Sequence, residues 1–299
     1  MAVVVIGGEG WVSRTAVAYY FERAEKTLTD ICVYGSFSRF SRPISGVTHP
    51  IKIWIPQEES FRVETFIPAA FLTIDKFLKY GETEYRKRNL DLISNAYKYI
   101  EMNKPEKCIL FSSGIVSLPP NQIEPKSPKA AYRDLKIEEE ERLIEACENS
   151  NTNLIICRLF NSSGRYISNP RSYALSNFIY QGILTGKITV DSPHQTWRRY
   201  SDLGQIIEVC DRLLIEKSYK SFESGGIVVE LHKLAQHIAS FLNIQFHEKS
   251  VNNEIVDSYL SKSGEFESMA EILGVKLFGI EDQIRNTQLG VEEYILRNT

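Results

Sequence analysis

The stretch that most constrains this chain is its first: Val3-Val4-Val5-Ile6-Gly7-Gly8-Glu9-Gly10-Trp11-Val12-Ser13. A β-branched run that ends in glycines and passes directly into Arg14-Thr15-Ala16-Val17-Ala18-Tyr19-Tyr20-Phe21 reads as a buried strand, a tight turn and an amphipathic helix. Gly7 and Gly10 let the backbone turn sharply and approach a pyrophosphate. The first amides of the helix, at Trp11 and Val12, face such an anion with the positive end of the helix dipole. Ser13 occupies the third small position, where glycine is usual, and is still small enough for close packing of helix on strand. The chain therefore opens as a dinucleotide-binding unit opens.

The 299-residue chain has room for a sizeable core, and 43% hydrophobic residues exclude a disordered chain. A net charge of -3, with its charged residues spread along the chain, leaves no electrostatic footprint for nucleic acid or an anionic membrane, so any phosphate site is local. The first residues lack the pattern of a signal peptide, and no apolar run approaches the length of a membrane span, which is the expectation for a soluble cytoplasmic protein. Cys32, Cys108, Cys147, Cys157 and Cys210 lie apart, mostly inside apolar runs. They read as buried thiols, with neither a metal site nor a disulfide framework suggested.

Short β-rich runs alternate with longer helical patterns through the first half, which predicts a Rossmann-like, doubly wound α/β parallel sheet. The second strand, Asp30-Ile31-Cys32-Val33-Tyr34, runs into Gly35-Ser36-Phe37-Ser38-Arg39. A carboxylate at that point would hold the ribose 2′-hydroxyl of NAD. Gly35 stands there instead, and Ser36, Ser38 and Arg39 offer hydroxyls and a guanidinium suited to a 2′-phosphate. Arg14 either adds to that phosphate site or is solvated. Strands follow at 51–55 and 63–67, the second leading into Pro68-Ala69-Ala70, where small residues would let a nicotinamide ribose lie close to the sheet edge. A helix over 82–101 carries Asn89, and a strand at 107–111 delivers Ser112 and Ser113 to its carboxyl end. A further helix from about Ala131 places Tyr132 and Lys136 on one face. The acidic run Glu138-Glu139-Glu140-Glu141 reads as the solvated continuation of that helix. A strand over 153–160 ends in Asn161-Ser162-Ser163-Gly164. Beyond Gly164 the alternation fades: a polar loop at 165–171 is followed by a helix at 176–184 and a strand at 187–190. Residues 195–202 then precede a helix at 203–214, and a strand at 226–229 precedes an amphipathic helix at 230–242. The division expected is a dinucleotide-binding core over 1–164 and, over 165–299, a smaller C-terminal substrate-binding lobe with some segments returning to the core.

This order of motifs resembles the extended short-chain dehydrogenase/reductase family, in the branch acting on nucleotide sugars. The likeness runs from the Gly7 to Ser13 turn through Asn89, Ser112-Ser113 and Tyr132 to Lys136, then to Arg158-Leu159-Phe160-Asn161. The resemblance implies a Ser/Tyr/Lys mechanism. Tyrosine has an ordinary pKa near 10 and needs a nearby cation to exchange protons at neutral pH, which Lys136 would supply. Ser112 or Ser113 would hold the substrate oxygen, and Lys136 would also bond the nicotinamide ribose. Asn161 would hold the sugar or its phosphate, and Arg198 or Arg199 would grip the nucleotide diphosphate. Dehydratases of this group carry an Asp-Glu pair directly after the active serine or threonine. Here Gly114-Ile115 follow Ser113. The resemblance implies a nucleotide-sugar substrate, and the missing carboxylate at Gly35 and acidic pair beside Ser113 turn the expectation to a homodimeric, NADP(H)-preferring reductase of a nucleotide-linked 4-keto sugar, with NAD(H) as the other cofactor. The alternatives are a 4-epimerase that retains its cofactor and a dinucleotide-binding regulator without turnover.

Overall fold

The computed structural model describes residues 1–27, 30–213, 219–247, 252–262 and 264–298. It divides into two compact units, Met1–Leu159 with Cys210–Phe222, and Phe160–Val209 with Glu223–Thr299.

The first unit begins with β1 (Ala2–Ile6) and α1 (Trp11–Thr27), then β2 (Asp30–Gly35), β3 (Arg39–Phe40), β4 (Pro50–Ile53) and β5 (Val63–Pro68). After these come the one-turn α2 (Phe77–Tyr80), α3 (Glu82–Asn103), β6 (Lys107–Ser113), α4 (Pro128–Ser150) and β7 (Asn153–Leu159). With the strand Tyr219–Glu223 beside β7 they form an eight-stranded sheet. Its order from that strand is β7-β6-β5-β1-β2-β4-β3. The neighbours from β7 to β4 run parallel, and only the short edge strand β3 is antiparallel to β4. From β1 the chain winds outward through β2 and β4 on one side, and from β5 through β6 and β7 on the other. The strand order therefore reverses between β1 and β5, and at such a reversal the carboxyl ends of the strands leave a crevice.

Alternation along the strands builds a core on each face. Val4, Ile6, Phe66, Cys108, Leu110, Leu154 and Ile156 meet Ile93, Ala96, Tyr99 and Ile100 of α3 and Leu143, Ala146 and Cys147 of α4. Each such aliphatic side chain stabilises the fold by roughly 1.5–3 kcal/mol when fully buried. The alternate residues Val3, Val5, Thr65 and Ile67 are buried too. They lie on the face covered by α1, whose Tyr20 hydroxyl bonds Thr65 and donates to Asp211 at 2.7 Å. The helices thus cover both faces, as the alternating pattern predicts.

One expectation about α4 is corrected. Glu138 to Glu141 are not a solvated face: Glu139 and Glu140 are 3% and 5% exposed. They lie three and four residues after Lys136 and one turn before Leu143, on the stripe of α4 that faces the sheet. Glu140 is compensated by Arg158 of β7, with a 2.6 Å ion pair.

The second unit contains β8 (Asn161–Ser163), α5 (Ala174–Thr185), β9 (Lys187–Thr189), β10 (His194–Asp202) and α6 (Leu203–Arg212), whose last residues are counted with the first unit. After β11 (Tyr219–Glu223), the strand already placed beside β7, come β12 (Ile227–Glu230), α7 (Leu231–Leu242), β13 (Gln245–His247), β14 (Asn252–Tyr259), α8 (Glu265–Ile272) and α9 (Ile280–Asn298). Residues 195–202, read from sequence only as preceding a helix, form most of β10, the central strand of a small sheet. It pairs antiparallel with β12 and parallel with β14 and β8. The helix after it ends at Arg212, and the expected end at residue 214 lies outside the described residues. Glu230 ends β12 and caps α7, its carboxylate accepting from the amides of His232 at 2.8 Å and Lys233 at 3.1 Å. Helix α9 is tied to β8 through Thr287, which accepts from the Gly164 amide at 2.9 Å, and Gln283, which accepts from the Ser163 hydroxyl at 2.8 Å. No helix among the described residues is long and apolar enough to cross a membrane.

Candidate functional site

At the reversal between β1 and β5, the glycine-rich turn is fitted against its neighbours by backbone alone. Gly7 has φ +129°, and a Cβ there would come within 2.9 Å of the Ala69 carbonyl oxygen. Gly8 has φ +53° and lies against Gly35, where an added Cβ would meet Ile51 at 3.0 Å and the Gly8 Cα at 3.3 Å. The Gly10 amide closes the turn on the Gly7 carbonyl at 3.0 Å. The first helical bond, from Arg14 N–H to the Gly10 carbonyl at 2.9 Å, places Trp11, Val12 and Ser13 in the first turn of α1. Ser13 is wholly buried and its hydroxyl donates to the Gly8 carbonyl at 3.0 Å, so the serine in the third small position braces the turn. These cradles, which a single Cβ would fill, at the start of α1, fit a dinucleotide pyrophosphate.

The geometry also gives Gly35 a packing reason to be glycine. Ser36, Ser38 and Arg39 beyond it are exposed, and Arg39 makes no ion pair among the described residues. Arg14 fills neither of its expected roles. It is 2% exposed, and its guanidinium bonds the Glu9 carboxylate at 3.0 Å and the carbonyls of Arg42 at 3.2 Å and Pro43 at 3.0 Å. Being buried, it lies beyond reach of bulk water, and its donors are committed to the loop around Arg42.

At the other end of the crevice lies α4. The Lys136 ammonium is buried, 2.7 Å from the Glu139 carboxylate and 3.4 Å from the Phe111 carbonyl, with the Phe71 ring centroid 3.8 Å away. Burial disfavours the Lys136 charge, yet Glu139 together with Tyr132 and Glu140 outweighs it and holds the ammonium above the ordinary lysine pKa. Burial raises the Glu139 carboxyl, against the opposing pull of Lys136. Tyr132 is half-buried and packs edge-on against the same Phe71, with ring centroids 5.7 Å apart. Ser112 and Ser113, on successive positions of β6, point to opposite faces. Ser112 is 3% exposed, and its hydroxyl has no hydrogen-bond partner among the described residues. Ser113 is more accessible and accepts from the Ile115 amide at 3.4 Å, which leaves its own O–H free to donate.

Residues 69–72 join the two ends. The Ala69 amide donates to the Ile6 carbonyl at 2.8 Å beside the glycine turn, and Phe71 reaches Tyr132 and Lys136. Asn89 is wholly buried, and its side chain clamps Leu72, accepting from its amide at 2.8 Å and donating to its carbonyl at 3.3 Å. Asn89 thus holds the loop.

In the second unit the candidate substrate residues separate. Arg198 and Arg199 lie on opposite faces of β10, the first paired with Asp257 at 2.6 Å and the second with Glu267 at 3.3 Å. Glu267 lines a cavity of about 280 Å³ with Ser201, Gln205, Phe278 and Gln283. Asn161 opens β8 opposite Tyr200, and its amide nitrogen has no hydrogen-bond partner among the described residues.

No protein-family model and no curated protein sequence matches the chain. Solved structures do. The Bifidobacterium longum UDP-glucose 4-epimerase in complex with NAD+ and UDP shares 15% identity over 100% of both chains, with a TM-score of 0.71. A UDP-galactose 4-epimerase shares 13% over 99% of this chain and 100% of that one, at 0.72. TunA, an NAD-dependent NDP-hexosamine 5,6-dehydratase involved in tunicamycin biosynthesis, shares 14% over 99% and 98%, at 0.69. The fold is that of the extended short-chain dehydrogenases/reductases. Among the residues that gather at this crevice, sequence reading named the glycine turn, Tyr132 and Lys136, singled out none of Glu9, Arg42 and Phe71, and took Glu139 as solvated. Only Glu139 carried a usable signal, its helical spacing from Lys136 and Leu143.

Proposed function

We propose that the protein is a nicotinamide-dinucleotide-dependent oxidoreductase that interconverts a hydroxyl and a keto group on a nucleotide-linked sugar. The observation that carries this reading is the short segment 69–72, which ties the glycine-rich turn to the Tyr132 and Lys136 end of α4. Gly7, Gly8 and Gly10, with the amides of Trp11 and Val12, would hold the pyrophosphate, and Ala69 would lie beneath the ribose next to the nicotinamide. When bound, the nicotinamide supplies or accepts the hydride. Tyr132 would exchange a proton with the reacting sugar oxygen, the buried Lys136 providing the positive charge beside it. Ser113, the accessible serine with an unused O–H, would donate to the same oxygen and fix its direction. Asn161, with Arg198 or Arg199, would be the candidate for the nucleotide-sugar phosphates.

Two reactions fall within this class. Reduction of a 4-keto sugar by NADPH is supported by Ser36, Ser38 and Arg39, and by Gly114 and Ile115 where a dehydratase has its acidic pair. Epimerisation at carbon 4 with a retained cofactor is favoured by the packing role of Gly35, whose lack of a carboxylate no longer speaks about the cofactor. The test offers purified protein a nucleotide-linked 4-keto-6-deoxysugar with NADPH and, separately, UDP-glucose with NAD+. Stoichiometric loss of reduced nicotinamide identifies the reductase. A new epimer without net change in nicotinamide absorbance identifies the epimerase, and a protein that holds dinucleotide but converts neither substrate is the non-catalytic regulator.

A further inference from the structure

Glu9 lies inside the glycine-rich turn, between Gly8 and Gly10, in a segment shaped to receive an anion. A carboxylate there is electrostatically opposed to a pyrophosphate unless it is neutralised and turned aside, and the structure does both. One oxygen, Oε1, accepts from the Arg42 amide at 2.7 Å, and the other, Oε2, accepts from Arg14 at 3.0 Å and from the Arg42 guanidinium. Arg42 also donates to the Glu9 carbonyl at 3.1 Å. The side chain is thereby directed toward the loop that follows β2 and β3. Because Gly8 lies against Gly35, Glu9 is held at the same corner as the end of β2, where a ribose-binding acid is expected in folds of this kind.

A count of acceptor sites shows what Glu9 can still do. A carboxylate has about four lone-pair positions. Three are taken by the bonds above, which leaves one on Oε1, and the side chain keeps 14% of its surface exposed. The guanidiniums around it are less available. Arg14 is buried, with its donors on Glu9 and two backbone carbonyls, and Arg42 binds Glu9 through both side chain and backbone. Arg39 is the exposed cation of this corner.

We propose that Glu9 is the cofactor-selecting residue: its remaining acceptor position takes the 2′-hydroxyl of the adenosine ribose, and as an acceptor-only group it gives a 2′-phosphate no donor, so the protein prefers NAD(H) to NADP(H). The acid that Gly35 cannot carry is supplied from the neighbouring turn. Arg42 and Arg14 keep it ionised and aimed. This inference rests on the dinucleotide reading of the turn and deepens it, and it points to the cofactor-retaining reaction.

The experiment measures equilibrium binding of NADH and NADPH, by fluorescence or calorimetry, to the wild-type chain and to Glu9→Gln, Glu9→Asp and Arg39→Ala, each checked for an unchanged circular dichroism spectrum. Wild type should bind NADH more tightly, and Glu9→Gln should shift the affinity ratio toward NADPH by about tenfold or more, the scale of one charge-assisted bond. Glu9→Asp, which keeps the charge, should retain the preference even where Gln weakens the turn. Tighter binding of NADPH by wild type, or a ratio unmoved in Glu9→Gln while Arg39→Ala moves it, overturns the proposal and leaves the dinucleotide site standing. Failure of the folded wild type to bind either nucleotide overturns the dinucleotide reading itself.

Discussion

Glu9 and Glu139 are both acids beside cations at the two ends of one crevice, yet their surroundings set opposite behaviour. Glu9 keeps contact with water and has two arginines. Burial alone would raise its pKa, but hydrogen bonds and charge from Arg42, with the charge of Arg14, hold it below the ordinary glutamate value. Glu139 is buried with a single ammonium, and its carboxyl is raised by burial. Two guanidiniums with backbone help can fix a carboxylate in its charged form near the surface, whereas one lysine in the interior leaves a pair whose members depend on each other. The glycine-turn end therefore holds its acid charged and in contact with water. The α4 end is a coupled unit.

The largest expected effect separates chemistry from binding. Tyr132→Phe should lower turnover on a verified substrate by roughly a hundred- to ten-thousand-fold while leaving dinucleotide affinity close to wild type. Loss of binding in that variant would break the division between the two ends. Coupling at α4 is tested next by Lys136→Met, which strands Glu139 and should cost about 3–5 kcal/mol in chemical denaturation. Adding Glu139→Leu should restore much of that loss, and a double variant no more stable than the single would show that the pair is not coupled. The Glu9 latch should be worth about 1 kcal/mol, given its partial exposure. Because the folded-state pKa is depressed, its contribution is present above the unfolded value near 4.5 and fades as pH falls through the lower folded value. The stability difference between wild type and Glu9→Gln should therefore be flat at neutral pH and shrink in acid, and a difference that grows in acid contradicts the latch. Smallest of all, Arg39→Ala should leave thermal stability within about 0.5 kcal/mol, since its side chain is exposed and unpaired among the described residues.

Much of the first unit was legible because period-2 and period-3.6 patterns there are apolar: β1, β6 and β7 read directly, and Tyr132 and Lys136 fell on one helix face. Four glutamates in a row suggested solvent, because composition outweighed spacing. The spacing of 136, 139, 140 and 143 follows the buried stripe, and Lys136 and Arg158 make that burial tolerable for Glu139 and Glu140. Arg14 misled for the same reason, its partners lying about thirty residues away around Arg42 and Pro43. In the second unit β10 was hidden by its polar residues. Thr196, Ser201 and Asp202 are buried through hydrogen bonds that no local pattern reveals, such as Asp202 with Asn286 at 2.6 Å. Glycine at position 35 was legible as a residue but not as a cause, since its neighbour Gly8 is remote in sequence.

Phe71 carries a consequence for motion. Its backbone is pinned on one side where Ala69 meets the glycine turn and on the other where Asn89 grips Leu72, while its ring lies against both Tyr132 and Lys136. A ring so placed can turn over about its own axis only when those two side chains give way together. Its flip frequency, readable from the line shapes of its aromatic protons, is thus a clock for the breathing of Tyr132 and Lys136. Anything that tightens the turn at Gly7 against Ala69 should slow that clock at Phe71, two residues further along the chain.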